Sequence, residues 1–241
     1  MNSYVRSFFM KILSIDTSNY ALGIGLIDDT QVMGEYISNL KKNHSVRVMP
    51  AIETLMGECG VKPGDLSKIV VAKGPGSYTG VRIGVTIAKT LAWTLNIPLS
   101  GVSSLEVLAA SSGRYFNGYL SPLFDARRGQ IYTGLYQFRD SLLETVYDDR
   151  LVMADEWAET LQSLDGNILF SGNDLNIHKQ TIGDRLGERA VWAEITEHNP
   201  RPAELALLGK DREAEDPHHF VPNYIRLAEA EAKWLEAKKN Q

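Results

Sequence analysis

The order of strand-like and helix-like segments constrains the fold of this chain most, because nearly the same order occurs twice. In the first half, alternating and apolar runs predict three short strands, a helix, a strand, a helix and a strand, over 11–16, 21–27, 31–38, 44–59, 68–73, 81–95 and 97–102. A helix at 104–111 separates this unit from the second. The second half predicts three strands, a helix, a strand and a helix, over 118–125, 129–138, 143–148, 155–161, 167–172 and 174–186. The halves show no visible sequence identity, so the repeat is one of topology.

Two β-β-β-α-β-α units are typical of the two-lobed α/β fold of the actin-like ATPases, a ribonuclease-H-like architecture. A chain of 241 residues with 44% apolar residues suits two lobes of about 100 residues each. We expect an N-terminal lobe at 10–102 and a C-terminal lobe at 103–220. A helix at 221–238 is expected to pack back on the first lobe. Residues 1–9 are expected to be a disordered extension, with Met10 as an alternative start.

Charge and cysteine content restrict the class of protein. The formal net charge is −5 and no dense basic run occurs, which argues against a protein that binds nucleic acid by itself. The single cysteine, Cys59, excludes an internal disulfide and is typical of a reducing cytoplasm. No run approaches the roughly 20 apolar residues that span a bilayer. We therefore expect a cytoplasmic protein with no membrane partner.

The segment GPGSYTG, residues 74–80, joins a predicted strand to a predicted helix. It is not a P-loop, because Val81 and Arg82 follow its last glycine where that motif requires Lys and Ser or Thr. It also lacks the spacing of the dinucleotide fingerprint. Two interpretations remain open. The glycines admit an anionic ligand at the helix N-terminus, or they allow the helix to pack closely on its strand.

Four segments carry a resemblance to a known family: SIDTS at 14–18, KGPGSYTGVRIG at 73–84, DARRGQIY at 125–132 and VPNYIRLAE at 221–229. In this order they resemble the TsaB family, the small paralogue of the TsaD threonylcarbamoyl transferase. The resemblance implies a role in forming N6-threonylcarbamoyladenosine next to the tRNA anticodon. It also implies pairing with a TsaD-type transferase and a TsaE-type ATPase, a homodimer when the chain is alone, and contact with tRNA only through the complex.

Nucleotides bind between the lobes of this fold, at two hairpins that each lie near a carboxylate. Ser18, in the first hairpin, stands where many kinases of the class carry glycine. In the second, Arg127 and Arg128 stand where a glycine pair is expected; we expect them to make ion pairs or to face a partner. We therefore expect no required cofactor and at most weak ATP or ADP binding, at a vestigial site consisting of Asp16, Gly74, Gly76 and Gly80.

No catalytic or metal-binding residue is predicted. The histidines His44, His178, His198, His218 and His219 lack the H-x-x-x-H spacing of the transferase metal site, and we interpret them as surface or capping residues. Cys59 lies on the apolar side of its helix, as a small buried hydrophobe does. The hydroxyls of residues 77–79 have no histidine nearby in sequence. Asp148 and Asp149 lie in a predicted turn, where solvated acids are common.

The two long helices of the first half are more apolar than one sheet requires. The apolar arc of helix 44–59 is wide, and helix 81–95 is apolar nearly all round. The C-terminal helix, through Leu227 and Trp234, or a partner subunit must cover the excess. The family resemblance places the dimer contact on these helices. The predicted interface residues are Val48, Met49, Ile52, Leu55, Met56, Val85, Ala88 and Ala92.

Three functions are compatible with these features. The leading hypothesis is a non-catalytic dimerisation or scaffold subunit of the threonylcarbamoylation complex. The alternative is a small-molecule kinase or ATPase of the same fold, with Asp16 holding the metal. A peptidase ranks last, because no triad or metal pair can be recognised.

Overall fold

The computed structural model describes residues 9–40 and 42–225, which form two five-stranded sheets. In the first sheet the strands lie in the order β3-β2-β1-β4-β5. Strand β2 pairs antiparallel with β1 and with β3. On the other side of β1, strand β4 pairs with it in parallel, and β5 pairs in parallel with β4. The strands are β1 (Ile12–Asp16), β2 (Leu22–Ile27), β3 (Val32–Ser38), β4 (Lys68–Ala72) and β5 (Leu99–Val102).

The second sheet repeats this arrangement in the order β10-β9-β6-β7-β8. A hairpin again precedes parallel pairing, with β9 joined to β6 and β10 joined to β9. The strands are β6 (Tyr119–Asp125), β7 (Gln130–Arg139), β8 (Leu142–Met153), β9 (Ile168–Ser171) and β10 (Ala190–Trp192). The duplicated two-lobed α/β fold is confirmed. The second half also has its fifth strand, β10, which the sequence did not predict.

The described residues include six α-helices, and two of them begin at a side chain that accepts a backbone N–H. Ser77 accepts from the amide of Gly80 and Ser103 from the amide of Leu105, as N-cap residues do. The Ser77 cap starts α2 at Tyr78, whereas the predicted helix begins at residue 81. The helices are α1 (Val48–Glu58), α2 (Tyr78–Leu95), α3 (Ser104–Gly113), α4 (Ala154–Gln162), α5 (Leu175–Leu186) and α6 (Pro202–Lys210). None of the helices in the described part of the chain combines the length and hydropathy needed to cross a bilayer.

Helices α3 and α6 each pack against the sheet of the other half of the chain. Helix α3 follows the first sheet but packs on β6, β7 and β9, whereas α6 follows the second sheet but packs on β1, β2 and β4. Close contact is possible because Gly25 has no side chain; a Cβ there would lie 2.8 Å from the carbonyl carbon of Pro202. Ser14 Oγ donates to Pro202 O at 2.6 Å. The predicted boundary of 103–220 for the second lobe is therefore wrong for α6, which the sequence did not predict.

Each sheet lies between helices on both faces, which explains the near-continuous burial of β1, β2 and β4. Helices α1 and α2 cover one face of the first sheet and α6 covers the other. Helices α4 and α5 cover one face of the second sheet around the buried Trp157, and α3 covers the other. Among residues 9–40 and 42–225, five strands per sheet and three helices per lobe thus form the scaffold for the loops between the lobes.

The described chain ends in an extended segment that crosses the first lobe, residues 213–225, which we call the strap. Its Glu215 amide donates to Leu99 O, and its Phe220 side chain is buried at 2% exposure in the core beside α2. Residues 221–225 are not helical, so the predicted helix does not begin after Pro222. The rest of the predicted helix, residues 226–238, and residues 1–8 of the predicted extension lie outside the described residues.

Candidate functional site

A cleft of about 630 Å³ opens between the lobes. The hairpin after β1, the glycine turn before α2, the loop after β6 and the end of the strap line it. Its walls include Ser18, Asn19, Pro75, Gly76, Ser77, Phe124, Asp125, Arg127, Asp174 and Asn223. The structure therefore brings the two predicted hairpins and the glycine turn together at one site.

Asp16, the predicted metal-holding carboxylate, lies behind this wall and not in it. Its side chain is 2% exposed, and Oδ1 accepts both the amide of Ser18, at 2.8 Å, and the Ser18 hydroxyl, at 2.7 Å. Burial raises the pKa of the Asp16 carboxyl. Among the described residues, its Oδ2 has no hydrogen-bond partner. The serine in place of glycine thus closes the carboxylate off from the cleft.

The hairpin after β1 occupies the space next to the glycines of the turn at 74–80. A Cβ at Gly76 would lie 2.1 Å from Ser18 O, and one at Gly80 would lie 2.1 Å from Thr17 O. The amide of Ser77 donates to Ser18 O at 2.6 Å, so a hairpin carbonyl takes the place of an anion at the start of α2. Gly74 has a φ of +99°, which suits glycine, and a Cβ there would meet Asn223 O at 2.9 Å. This geometry favours the packing interpretation of the turn.

The second hairpin presents charged side chains. Asp125 Oδ1 lies 2.9 Å from Nε2 of His178, and the amide of Asp125 donates to Asp174 Oδ2 at 3.0 Å. Arg127 and Arg128 adopt left-handed backbone with φ of 66° and 55°. Within the described ranges neither arginine makes a salt bridge, so the predicted ion pairs are not seen there.

These residues do not fit the magnesium–nucleotide site of the kinases of this fold. Such a site needs a carboxylate open to the cleft and space for phosphate oxygens at both hairpins. Here one carboxylate is sealed by Ser18, and the other, Asp125, is hydrogen-bonded to a buried histidine. The carbonyls of the first hairpin pack against the glycine turn, and Arg127 stands beside the second hairpin.

The histidines occupy separate environments. His178 is 3% exposed, so its assignment to the surface is wrong: the fold buries it against Asp125. His44 lies before α1, and its Nε2 is 3.0 Å from Asn19 O in the first hairpin. His198 Nδ1 accepts the amide of Gly172, and His219 pairs with Asp216 on the strap. Within residues 9–40 and 42–225, no three His, Cys, Asp or Glu side chains are grouped to hold a metal ion.

Asp149 ties α3 to the second sheet and is not the solvated turn residue that the sequence indicated. It lies in β8, where it accepts hydrogen bonds from Ser103 Oγ, at 2.5 Å, and from the Tyr136 hydroxyl. Burial raises the pKa of Asp149, and burial together with this carboxylate raises that of Tyr136 far above its usual value. Both residues therefore stabilise the junction between the lobes.

The structure corrects the predicted interface residues. Of the eight, Met49 alone is exposed, at 46%, because the apolar arc that selected the others is the side of each helix facing the first sheet. The other seven belong to the core of the first lobe at 7% exposure or less: Val48, Ile52, Leu55, Met56, Val85, Ala88 and Ala92. These seven side chains therefore offer little accessible surface to a partner.

A different set of side chains forms the outer surface of these helices, which we call the helical face. It contains a groove of about 440 Å³ lined by Ser45, Tyr78, Thr79, Arg82, Ile83, Thr86 and Ile87. Val46, Met49 and Trp93 extend its apolar surface, with exposures of 70%, 46% and 65%. Tyr78 and Thr79 line both this groove and the cleft, so the two depressions adjoin at the start of α2.

Comparison with known proteins connects this architecture to tRNA modification. Residues 31–234 match the family model described as TsaD, tRNA N6-adenosine threonylcarbamoyltransferase. The chain is 61% identical over 230 residues to a Bacillus subtilis protein named tRNA threonylcarbamoyladenosine biosynthesis protein TsaB, an alignment that covers 95% of this chain and all of that protein. An Escherichia coli protein of the same name is 35% identical over 130 residues, which cover 53% of this chain and 55% of that protein.

A solved structure shares the fold. A Pseudomonas aeruginosa protein, described as uncharacterized with similarity to the peptidase YeaZ, superposes with a TM-score of 0.78. The superposition covers 90% of this chain and 100% of that chain at 23% identity. At this identity the similarity extends to the two-lobed fold alone.

Proposed function

The chain belongs to the TsaD-type family and, within it, to the TsaB proteins of tRNA threonylcarbamoyladenosine biosynthesis; on this premise we propose that it serves the modification without chemistry of its own. It pairs with a TsaD-type transferase and, through that pair, with a TsaE-type ATPase. The helical face is the pairing surface, and alone the chain forms a homodimer on the same face. It contacts tRNA only within the complex and works in the cytoplasm.

The helical face supports the proposal more than any other observation. The helical face combines the groove with the exposed apolar side chains of Val46, Met49 and Trp93, and exposed apolar patches mark interaction surfaces. Aromatic, Met and Arg side chains are enriched at protein interfaces, and the face carries all three types in Trp93, Met49 and Arg82. The packed core beneath it holds α1 and α2 in place before any partner binds.

The geometry of the cleft supports the proposal that the chain catalyses no reaction of its own. Catalysis by this fold places a metal-bound phosphate between the hairpins, whereas here Ser18 covers Asp16 and Asp125 is held by His178. We propose that no cofactor is required. Calorimetric titration of the isolated chain with ATP and magnesium checks this: weak or absent heat is expected, and tight binding with turnover would restore the kinase or ATPase alternative.

Size-exclusion chromatography of the chain mixed with a TsaD-type subunit tests the pairing. Met49→Glu combined with Thr86→Glu places two charges on exposed positions of the helical face, so the fold is retained and co-elution is lost. The matched control is Leu142→Glu, which charges a side chain 70% exposed on the second lobe and leaves co-elution intact. Co-elution of the double variant at the wild-type position would refute the assignment.

A further inference from the structure

We infer that the interlobe cleft binds a basic side chain, an arginine or a lysine, on a short polypeptide segment of the subunit that pairs with this chain on the helical face. The chemistry of the occupant follows from the walls of the cleft alone. Its source, the pairing subunit, rests on the proposed function. Aromatic rings, charge and the position of the cleft beside the groove support the inference.

Aromatic rings cover much of the cleft wall. Tyr20, Tyr78 and Tyr224 are exposed by 40%, 46% and 40%. They come from the hairpin after β1, from the start of α2 and from the strap, so three separate elements place tyrosines around one cavity. Phe124 and Tyr132, on β6 and β7, add to this lining. The face of an aromatic ring carries partial negative charge and attracts a cation.

The charged side chains of the cleft also favour a cation. Within residues 9–40 and 42–225, three charged residues line it: Asp125, Asp174 and Arg127. Two carboxylates against one guanidinium leave a negative balance, and the whole chain has a formal net charge of −5. The Asp125 side chain is 22% exposed although its Oδ1 lies against Nε2 of the buried His178. This surface repels a phosphate group and attracts an ammonium or guanidinium group.

One tyrosine of the wall already binds a cation of this chain. The guanidinium carbon of Arg82 lies 5.2 Å from the centroid of the Tyr78 ring, and Nη1 donates to the Tyr78 hydroxyl at 2.9 Å. Tyr78 also packs against Tyr224, with 5.1 Å between the ring centroids. Arg82 lines the groove and not the cleft, which leaves Tyr20 and Tyr224 in the cleft wall for a basic side chain from another subunit.

The neutral walls suit a polypeptide better than a small free cation. Tyrosine, serine, glycine and asparagine are the residues with which antibody loops bind polypeptides, and all four types line the cleft. Besides the tyrosines they are Ser18, Asn19, Gly76, Ser77 and Asn223. The cavity of about 630 Å³ is in the size range of pockets that enclose whole ligands, so it has room for backbone beside the basic side chain.

The position of the cleft indicates the subunit that supplies the segment. Tyr78 and Thr79 line both the cleft and the groove, so a subunit seated on the groove lies at the mouth of the cleft. Once that subunit is bound, its segment enters the cleft in an intramolecular step. An effective concentration on the order of millimolar then fills even a weak site. Binding in the cleft thus adds a second contact to the pairing.

Thiol labelling in the presence of a TsaD-type subunit tests the inference. In a Cys59→Ser background, Asn223→Cys places the single thiol in the cleft, and Thr86→Cys, in a second chain, places it in the groove. The reference is each chain alone, diluted until its labelling rate no longer depends on concentration, so that no homodimer covers the thiol. With about nine-tenths of the chain bound to the subunit, labelling should slow about tenfold at position 86 and severalfold at position 223, because it follows the uncovered fraction.

A pair of substitutions separates recognition of a basic side chain from simple covering of the cleft. Asp174→Asn with Tyr20→Leu removes one carboxylate and one ring, while the asparagine oxygen can still accept the amide of Asp125. These changes should abolish the slowing at position 223 and leave the slowing at position 86 unchanged. The matched control, Asp155→Asn with Tyr115→Leu, removes the same groups from exposed positions outside the cleft and should alter neither.

The outcomes separate this inference from the proposed function. Slow labelling at position 86 with unchanged labelling at position 223 leaves the pairing intact and overturns the inference. Slow labelling at position 223 that survives the Asp174 and Tyr20 changes shows that no basic side chain is recognised there, which also overturns it. Spermidine that slows labelling at position 223 as much as the subunit does would make a free polyamine the occupant. Unchanged labelling at both positions contradicts the pairing on the helical face, and with it the source of the segment.

Discussion

Replacement of Gly80 by alanine tests whether the glycine turn is a packing device. The new Cβ would lie 2.1 Å from Thr17 O, against 3.4 Å or more for an ordinary contact, so hairpin and helix must separate by about 1.3 Å. That movement breaks the bonds from Thr17 Oγ1 to Gly80 O, at 2.7 Å, and from Ser77 N to Ser18 O, at 2.6 Å.

The expected loss of stability follows from these contacts. Two hydrogen bonds contribute about 2 kcal/mol and overpacking costs about 2 kcal/mol, while alanine gains about 1 kcal/mol of helix propensity. The free energy of unfolding, measured in urea by circular dichroism, should therefore fall by about 3 kcal/mol. The matched control is Gly57→Ala in α1, where a Cβ meets nothing within 4 Å. It should stabilise the chain by about 0.5–1 kcal/mol. A Gly80→Ala chain as stable as this control would refute the packing role.

Three further predictions concern stability. Ile52→Glu places a charge at a position that is 4% exposed, so the free energy of unfolding in urea should fall by about 3–5 kcal/mol. Met49→Glu, at a position that is 46% exposed, should lower it little, and equal losses would contradict the burial of this side of α1. The buried carboxyl of Asp16 has a pKa raised above its usual 3.8, so its ionisation opposes folding as pH rises past that value. In urea unfolding, Asp16→Asn should therefore gain stability relative to wild type as the pH rises above 3.8, and a difference in stability that does not change with pH would contradict the raised pKa. Phe220→Ala should cost about 3 kcal/mol and release the strap to protease, while Val221→Ala, at 69% exposure, should do neither; resistance of the first variant would show that Phe220 does not anchor the strap.

The repeat of strand order was predictable because each strand and helix has its own local pattern. Helix α6 and strand β10 were missed for different reasons. Strand β10 has three residues, too few for an alternating pattern. Helix α6 is stabilised from outside its own sequence: Lys68, on β4, donates to Lys210 O at 2.9 Å at its C-terminal end. Contacts between segments more than a hundred residues apart leave no local signal.

The candidate site was predictable in its place but not in its details. The four motifs identified the hairpins and the glycine turn that meet at the cleft. The pairing of Asp125 with His178 depends on how β6 and α5 lie in the fold, and no spacing in the sequence indicates it. The interface residues were wrong because an apolar arc marks the side of a helix that faces its own core. Exposed side chains such as Thr86 and Val46 carry no such pattern.

Reconstituted threonylcarbamoylation of tRNA, with TsaD-type and TsaE-type subunits supplied, tests the central claim most directly. The comparison is between Met49→Glu with Thr86→Glu, on the helical face, and Asp16→Asn, behind the cleft. Modified adenosine should disappear with the first chain and persist near the wild-type level with the second. Loss of modification with Asp16→Asn, together with full modification by the face variant, would show that chemistry in the cleft drives the function.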